Sequence, residues 1–151
     1  MQLSFILCAE SAVVDRTTNK LSIYNIIEQV SSPIFPAAVP MTLVAQFTRT
    51  KRENDQQKMK LTFSLDNMTK PLGEEQISIS FEKKMSSRLI AYIQAVIIPQ
   101  PGILSAKLEQ RNRLLGEWKM NIKKLDEQIQ DRKSTRLNSS HIQKSRMPSS
   151  A

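Results

Sequence analysis

The side chains able to do chemistry in this chain of 151 residues are few and poorly matched to one another. There is one cysteine, Cys8, and one histidine, His141. Cys8 ends the apolar run Leu3-Ser-Phe-Ile-Leu-Cys, a setting for a buried structural thiol rather than a nucleophile. A single cysteine excludes an internal disulfide and a multi-cysteine metal centre, and it fits a reducing compartment. His141 is the only side chain suited to general-base work near neutral pH, but it falls in a stretch set aside below. Glu10, Asp15 and Glu28 are carboxylates that two neighbouring strands could bring together for acid–base or calcium chemistry. The competing reading is solvated carboxylates at strand ends. Ser11 and Ser22 have no activating elbow or partner around them. The glycines, Gly73, Gly102 and Gly116, are isolated, so no phosphate-cradling loop can form. On this inventory we expect no enzyme, no catalytic residue, no metal and no cofactor.

Basic residues are better supplied. Lys58, Lys60, Lys83 and Lys84, with Lys51-Arg52 and Arg88 nearby in sequence, could gather on adjacent strands and loops. Such a patch attracts phosphates, with an affinity that falls steeply as salt rises. The interleaved stacking aromatics that single-strand binders use are missing there. Lysines on the open side of an exposed strand also discourage sheet-to-sheet aggregation, which explains them without a ligand. Trp118 lies on an apolar face, which suits the core better than a sugar platform.

These residues must be positioned by strands. The stretch 19–47 organises the chain: alternating segments at 21–28 and 41–47 flank a crossing with Pro33, Pro36 and Pro40. Prolines lack amide donors and bias the preceding residues toward extended backbone, so the crossing is expected neither to pair as a strand nor to coil. It reads as a chain stepping from one sheet to another. Residues 2–10 alternate with both faces largely apolar, which suits a strand covered on both sides, and Val13-Val14 extends it. The alternation is cleanest at 58–66, where Met59, Leu61, Phe63 and Leu65 oppose Lys58, Lys60, Thr62, Ser64 and Asp66. Further strands are predicted at 77–81, 89–98, 104–109 and 116–123. The total is about eight, at the spacing of a sandwich or barrel. No sustained 3.6-residue period appears, although 125–130 could begin a helix.

The end of the chain has a different character. Residues 131–141 resemble one reading frame of a common short-read sequencing adapter. Residues 145–151 match that adapter's constant region beyond the sample index. We therefore divide the chain into a β-sandwich domain at 1–125, the start of a native tail at 126–130, and translated adapter at 131–151. The sandwich is expected to be antiparallel and immunoglobulin-like, with a disordered C-terminal tail. Setting 131–151 aside removes His141 and lowers the formal net charge from +8 to +4. An adapter join carries no stop codon, so this reading leaves the natural C-terminus beyond Gln130 open.

Several motifs then follow a recurring order: Cys8 with Glu10, Asn19-Lys-Leu-Ser-Ile-Tyr-Asn-Ile, Ile34-Phe-Pro with Val39-Pro, and Ile98-Pro-Gln-Pro-Gly-Ile-Leu. Over residues 2–124 the chain resembles an uncharacterised family of small, mainly bacterial proteins expected to be β-sandwiches. Asn19 and Asn25 stand where that family usually has glycine, and Leu104 where it usually has an aromatic. Asparagine tolerates left-handed backbone, so the turn at Asn19 survives. The resemblance implies a fold and no activity. Residues 1–8 lack a basic leader, their apolar run is too short for a signal peptide, and no stretch reaches the ~18 apolar residues of a membrane span. The expectation is a cytoplasmic, non-enzymatic binding module, with a protein as its partner. The alternative is a nucleic-acid-associated protein using Lys58, Lys60, Lys83 and Lys84.

Overall fold

The computed structural model describes residues 1–126, and everything described is strand, turn or loop. The nine strands are β1 (Gln2–Val14), β2 (Leu21–Ile26), β3 (Gln29–Ser32), β4 (Ala37–Thr48), β5 (Gln56–Leu65), β6 (Gly73–Ser80), β7 (Ser86–Ile98), β8 (Gly102–Gln110) and β9 (Arg113–Lys124). They form a four-stranded sheet in the order β2-β1-β4-β7 and a five-stranded sheet in the order β3-β9-β8-β5-β6. Period-two patterning dictates this: Leu61, Phe63 and Leu65 of β5 are buried while Lys58 points out.

The core lies between the sheets. Leu43, Phe47 and Ile98 from one sheet meet Leu61, Leu104, Leu108 and Met120 from the other, all essentially without solvent contact. Each such side chain contributes about 1.5–3 kcal/mol on burial. Trp118 packs at the margin of this core, and its Nε1–H donates to the Ile27 carbonyl at 2.8 Å.

The proline crossing departs from the expectation in two ways. The chain does leave the first sheet after β2, but it pairs on the way, as β3, and then returns to the first sheet as β4. This short strand raises the count to nine. It lies parallel to β9, in the register Gln29↔Asn121 to Ser32↔Lys124, so the sandwich is not wholly antiparallel. Pro33 and Pro36 occupy the bend between β3 and β4. Pro40 lies inside β4, at the register shift between Val39 and Met41, where the ladder does not need its missing N–H.

Asparagines take left-handed backbone at two places, Asn19 at φ 59° in the turn before β2 and Asn25 at φ 56° inside β2. The β8–β9 hairpin turns on two further left-handed residues, Arg111 at φ 53° and Asn112 at φ 63°. Asparagine is at home in such a turn; arginine there costs about 1–2 kcal/mol of backbone strain. Residues 127–151 lie outside the described residues, and so do the adapter reading, the expected tail disorder and most of the helix expected at 125–130. Leu125 and Asp126 are not helical.

Candidate functional site

The sequence candidates for catalysis are dispersed. Cys8 faces the core with no solvent exposure, and burial pushes its thiol up to about 12. Glu10 accepts the Asn25 side-chain amide at 3.3 Å. Asp15 lies beyond the far end of β1, where its Oδ1 accepts the amides of Thr17 at 2.8 Å and Thr18 at 3.1 Å. Those backbone hydrogen bonds hold its carboxyl below the ordinary value. Glu28 follows Ile27, whose amide bonds the Cys8 carbonyl, so the three carboxylates are strung along the hairpin rather than gathered. Among the described residues no group of three His, Cys, Asp or Glu side chains could hold a metal ion. No described helix is long and apolar enough to cross a membrane.

Lys58 and Lys60 project from β5 on the outer face of the five-stranded sheet, and this face is mixed in charge. Lys60 stands between Gln76 on β6 and Glu109 on β8, and its Nζ lies 3.9 Å from Glu74. Lys107 stands opposite Glu117, and Lys119 is paired with Glu117 at 3.8 Å. Lys83 and Lys84 sit beyond β6, in a turn built by their backbones: the Lys83 amide donates to Asp55 at 2.6 Å and the Lys84 carbonyl accepts Arg49 Nε at 2.8 Å. Arg88 belongs to the other sheet, opposite Gln46, and does not join them.

The four-stranded sheet presents the opposite picture. Register places its outward residues in rows: Tyr24–Ser11, Ile26–Ala9–Thr42–Tyr92, Leu7–Val44–Ile90 and Phe5–Gln46–Arg88. Ala9 and Val44 are fully buried yet stand apart from the central core, because their neighbours on this outer face cover them. Tyr92 crosses over β4 to donate its hydroxyl to the Ala12 carbonyl at 3.2 Å, and the side chain remains 69% exposed. Tyr24 at 52% and Ile26 at 48% flank it. Tyr24, Ile26 and Tyr92 expose large side chains on this face among the half-buried Phe5, Leu7 and Ile90, a contiguous apolar patch of the kind that often marks an interaction site. Arg88 closes one end, its Nε buried and without a hydrogen-bond partner.

Clefts also open on the described surface. An apolar opening of about 310 Å³ lies between the edge strands β6 and β7, lined by Leu61, Phe63, Leu72, Ile93 and Val96. A polar cleft of about 480 Å³ lies where the β4–β5 loop meets the β8–β9 turn, lined by Met1, Arg52, Glu53, Arg111 and Arg113. Arg52 and Arg111 belong to connections far apart in the sequence. The β5–β8 pairing brings them together, and nothing local could have announced it.

The described residues thus form a two-sheet β-sandwich. The chain belongs to a family of unknown function, DUF6941, whose model matches residues 4–123. No curated protein matches it.

Proposed function

We propose that this protein is a non-enzymatic, immunoglobulin-like binding module of the bacterial cytoplasm that engages a protein partner through the outer face of its four-stranded sheet. The observation that carries this reading is the row Ile26–Ala9–Thr42–Tyr92 with its neighbours Tyr24, Leu7, Val44 and Ile90, an aromatic and aliphatic surface on which no described element packs. Exposed tyrosines on a rigid sheet supply large contact area at little entropic cost. The strand orders β1-β4-β7 and β9-β8-β5 run as an immunoglobulin sandwich places A-B-E and G-F-C, which supports the fold label. The place beside β7 that strand D would fill is open. One buried, unreactive cysteine suits a reducing compartment.

The nucleic-acid alternative on Lys58, Lys60, Lys83 and Lys84 is the weaker reading, because Lys60 is answered by Glu74 and faces Glu109. Affinity capture with the full chain and its Ile26→Glu variant, at low and high salt, separates the two. The reading predicts one stoichiometric protein, retained at high salt by the parent and lost by the variant. Recovery of nucleic acid that washes away with salt, or a variant that captures as the parent does, would count against it.

A further inference from the structure

We propose that the cleft between the β4–β5 loop and the β8–β9 turn binds a phosphate-bearing anion, held by Arg52 and Arg111. This inference shares no residue with the apolar face and stands or falls separately from it. Its basis is an imbalance of charge. Three guanidinium groups, of Arg52, Arg111 and Arg113, line the cleft together with the Met1 amine, and the only lining carboxylate is Glu53. Glu53 is already engaged on both oxygens. Its Oε2 pairs with the Met1 amine, and its Oε1 accepts the Thr50 amide at 3.0 Å and the Thr50 hydroxyl at 3.3 Å. Arg113 spends one nitrogen on the Met1 carbonyl at 3.3 Å. Arg52 and Arg111 have no hydrogen bond or ion pair among the described residues. Glu109 lines the adjoining cleft together with Lys58 and Lys60 and stands opposite Lys60 in the β5–β8 ladder.

The floor is built and polar. Gln110 Nε2 donates to Gln57 Oε1 at 2.8 Å and to the Lys58 carbonyl at 3.1 Å, and Gln57 Nε2 donates to the Asn54 carbonyl at 2.8 Å. These bonds tie the two elements together, so the guanidinium groups project from a fixed base. A guanidinium presents a planar fork that matches phosphate oxygens two at a time. At about 480 Å³ the cleft has the size of a small-molecule site. Arg111 is kept at a left-handed turn position where asparagine or glycine would be relaxed. Strain held at a residue that faces a cleft is the pattern of a functional side chain.

The phosphate can come from a free phosphorylated molecule or from a nucleic-acid backbone, and the test has an arm for each. Calorimetric titrations at low salt use inorganic pyrophosphate and a short oligothymidylate. They compare the full chain with Arg52→Ala/Arg111→Asn and with the charge-matched control Lys83→Ala/Lys84→Ala. Asparagine at 111 suits the turn, so the first variant stays folded, which its melting curve checks. The expected result is binding that weakens at least about tenfold in the arginine variant and less than about twofold in the control. Tighter binding of pyrophosphate assigns a small ligand, and tighter binding of the oligonucleotide assigns a nucleic acid. No binding of either probe, or equal losses in the two variants, overturns the proposal.

Discussion

Replacing Asp55 tests how the loops at one end of the sandwich are held. Asp55 accepts Arg49 Nη2 at 3.1 Å, the Lys83 amide at 2.6 Å and the Ser80 hydroxyl at 3.3 Å. Arg49 is the side chain that cannot tolerate its loss: it is only 9% exposed and lies 5.2 Å over the Phe81 ring. It keeps two carbonyl acceptors, Lys84 at 2.8 Å and Glu53 at 3.0 Å, but no other carboxylate. Removing one partner of a fully buried pair costs about 3–5 kcal/mol. The Asp55 side chain is 36% exposed, so solvent screens part of that, and the two surviving acceptors soften the remainder. We expect Asp55→Ala to lower stability by about 2–3 kcal/mol, a fall of roughly 6–15 °C in Tm for a domain of this size. Asp55→Asn keeps an acceptor for the Lys83 amide and should lose about half as much. Urea denaturation followed by far-ultraviolet circular dichroism measures both. A loss below about 0.5 kcal/mol for Asp55→Ala, or equal losses for the two variants, would show that the Arg49 charge is solvated and that the reasoning fails.

Three further outcomes follow from named contacts. Gly116→Ala puts a methyl group onto Leu3 Cδ2, at the contact between β9 and β1, and overpacking of this kind costs about 1–3 kcal/mol. Leu3→Ala in the same chain should relieve part of that loss, and strict additivity of the two denaturation midpoints would argue against the clash. Asp15 titrates below its usual 3.8 in the folded chain, so its contribution is fully present above about pH 4 and is lost as pH falls through the lower, folded value. Stability measured at pH 5 and again in strong acid should therefore drop more in the parent than in Asp15→Asn, and equal drops would contradict the turn. The Cys8 thiol, pushed up to about 12 and without exposure, should resist a thiol reagent at pH 8 until urea unfolds the chain; fast labelling of folded protein would refute that.

What could be read in advance was whatever depends on period two. The alternation at 58–66 became β5 and Asn19 took the left-handed turn its side chain allows, whereas the strands on either side of the proline-rich stretch, β2 and β4, share one sheet and only β3 between them joins the other. Residues 2–10, apolar on both faces, predict a strand covered on both sides, and here the structure differs. The core covers one side, and no described element packs on the other. That face itself was not legible, because Tyr24, Ile26 and Tyr92 become neighbours only through the registers of β2 with β1 and of β4 with β7. The arginine cleft was hidden for the same reason: Arg52 and Arg111 are joined by strand pairing, not by spacing. The acids beside the lysines were not legible either, since Glu74 reaches Lys60 from β6 and Glu109 stands opposite it on β8. The parallel β3–β9 pair was invisible because four residues between turns carry too little pattern to be read as a strand.

The most direct test of the central claim places a photo-crosslinking amino acid at position 26, on the apolar face, and for comparison at position 119, on the charged face, in cells carrying the full chain. The account predicts a discrete protein adduct from position 26 and none from position 119. The absence of any adduct from position 26, or the same adducts from both positions, would contradict it.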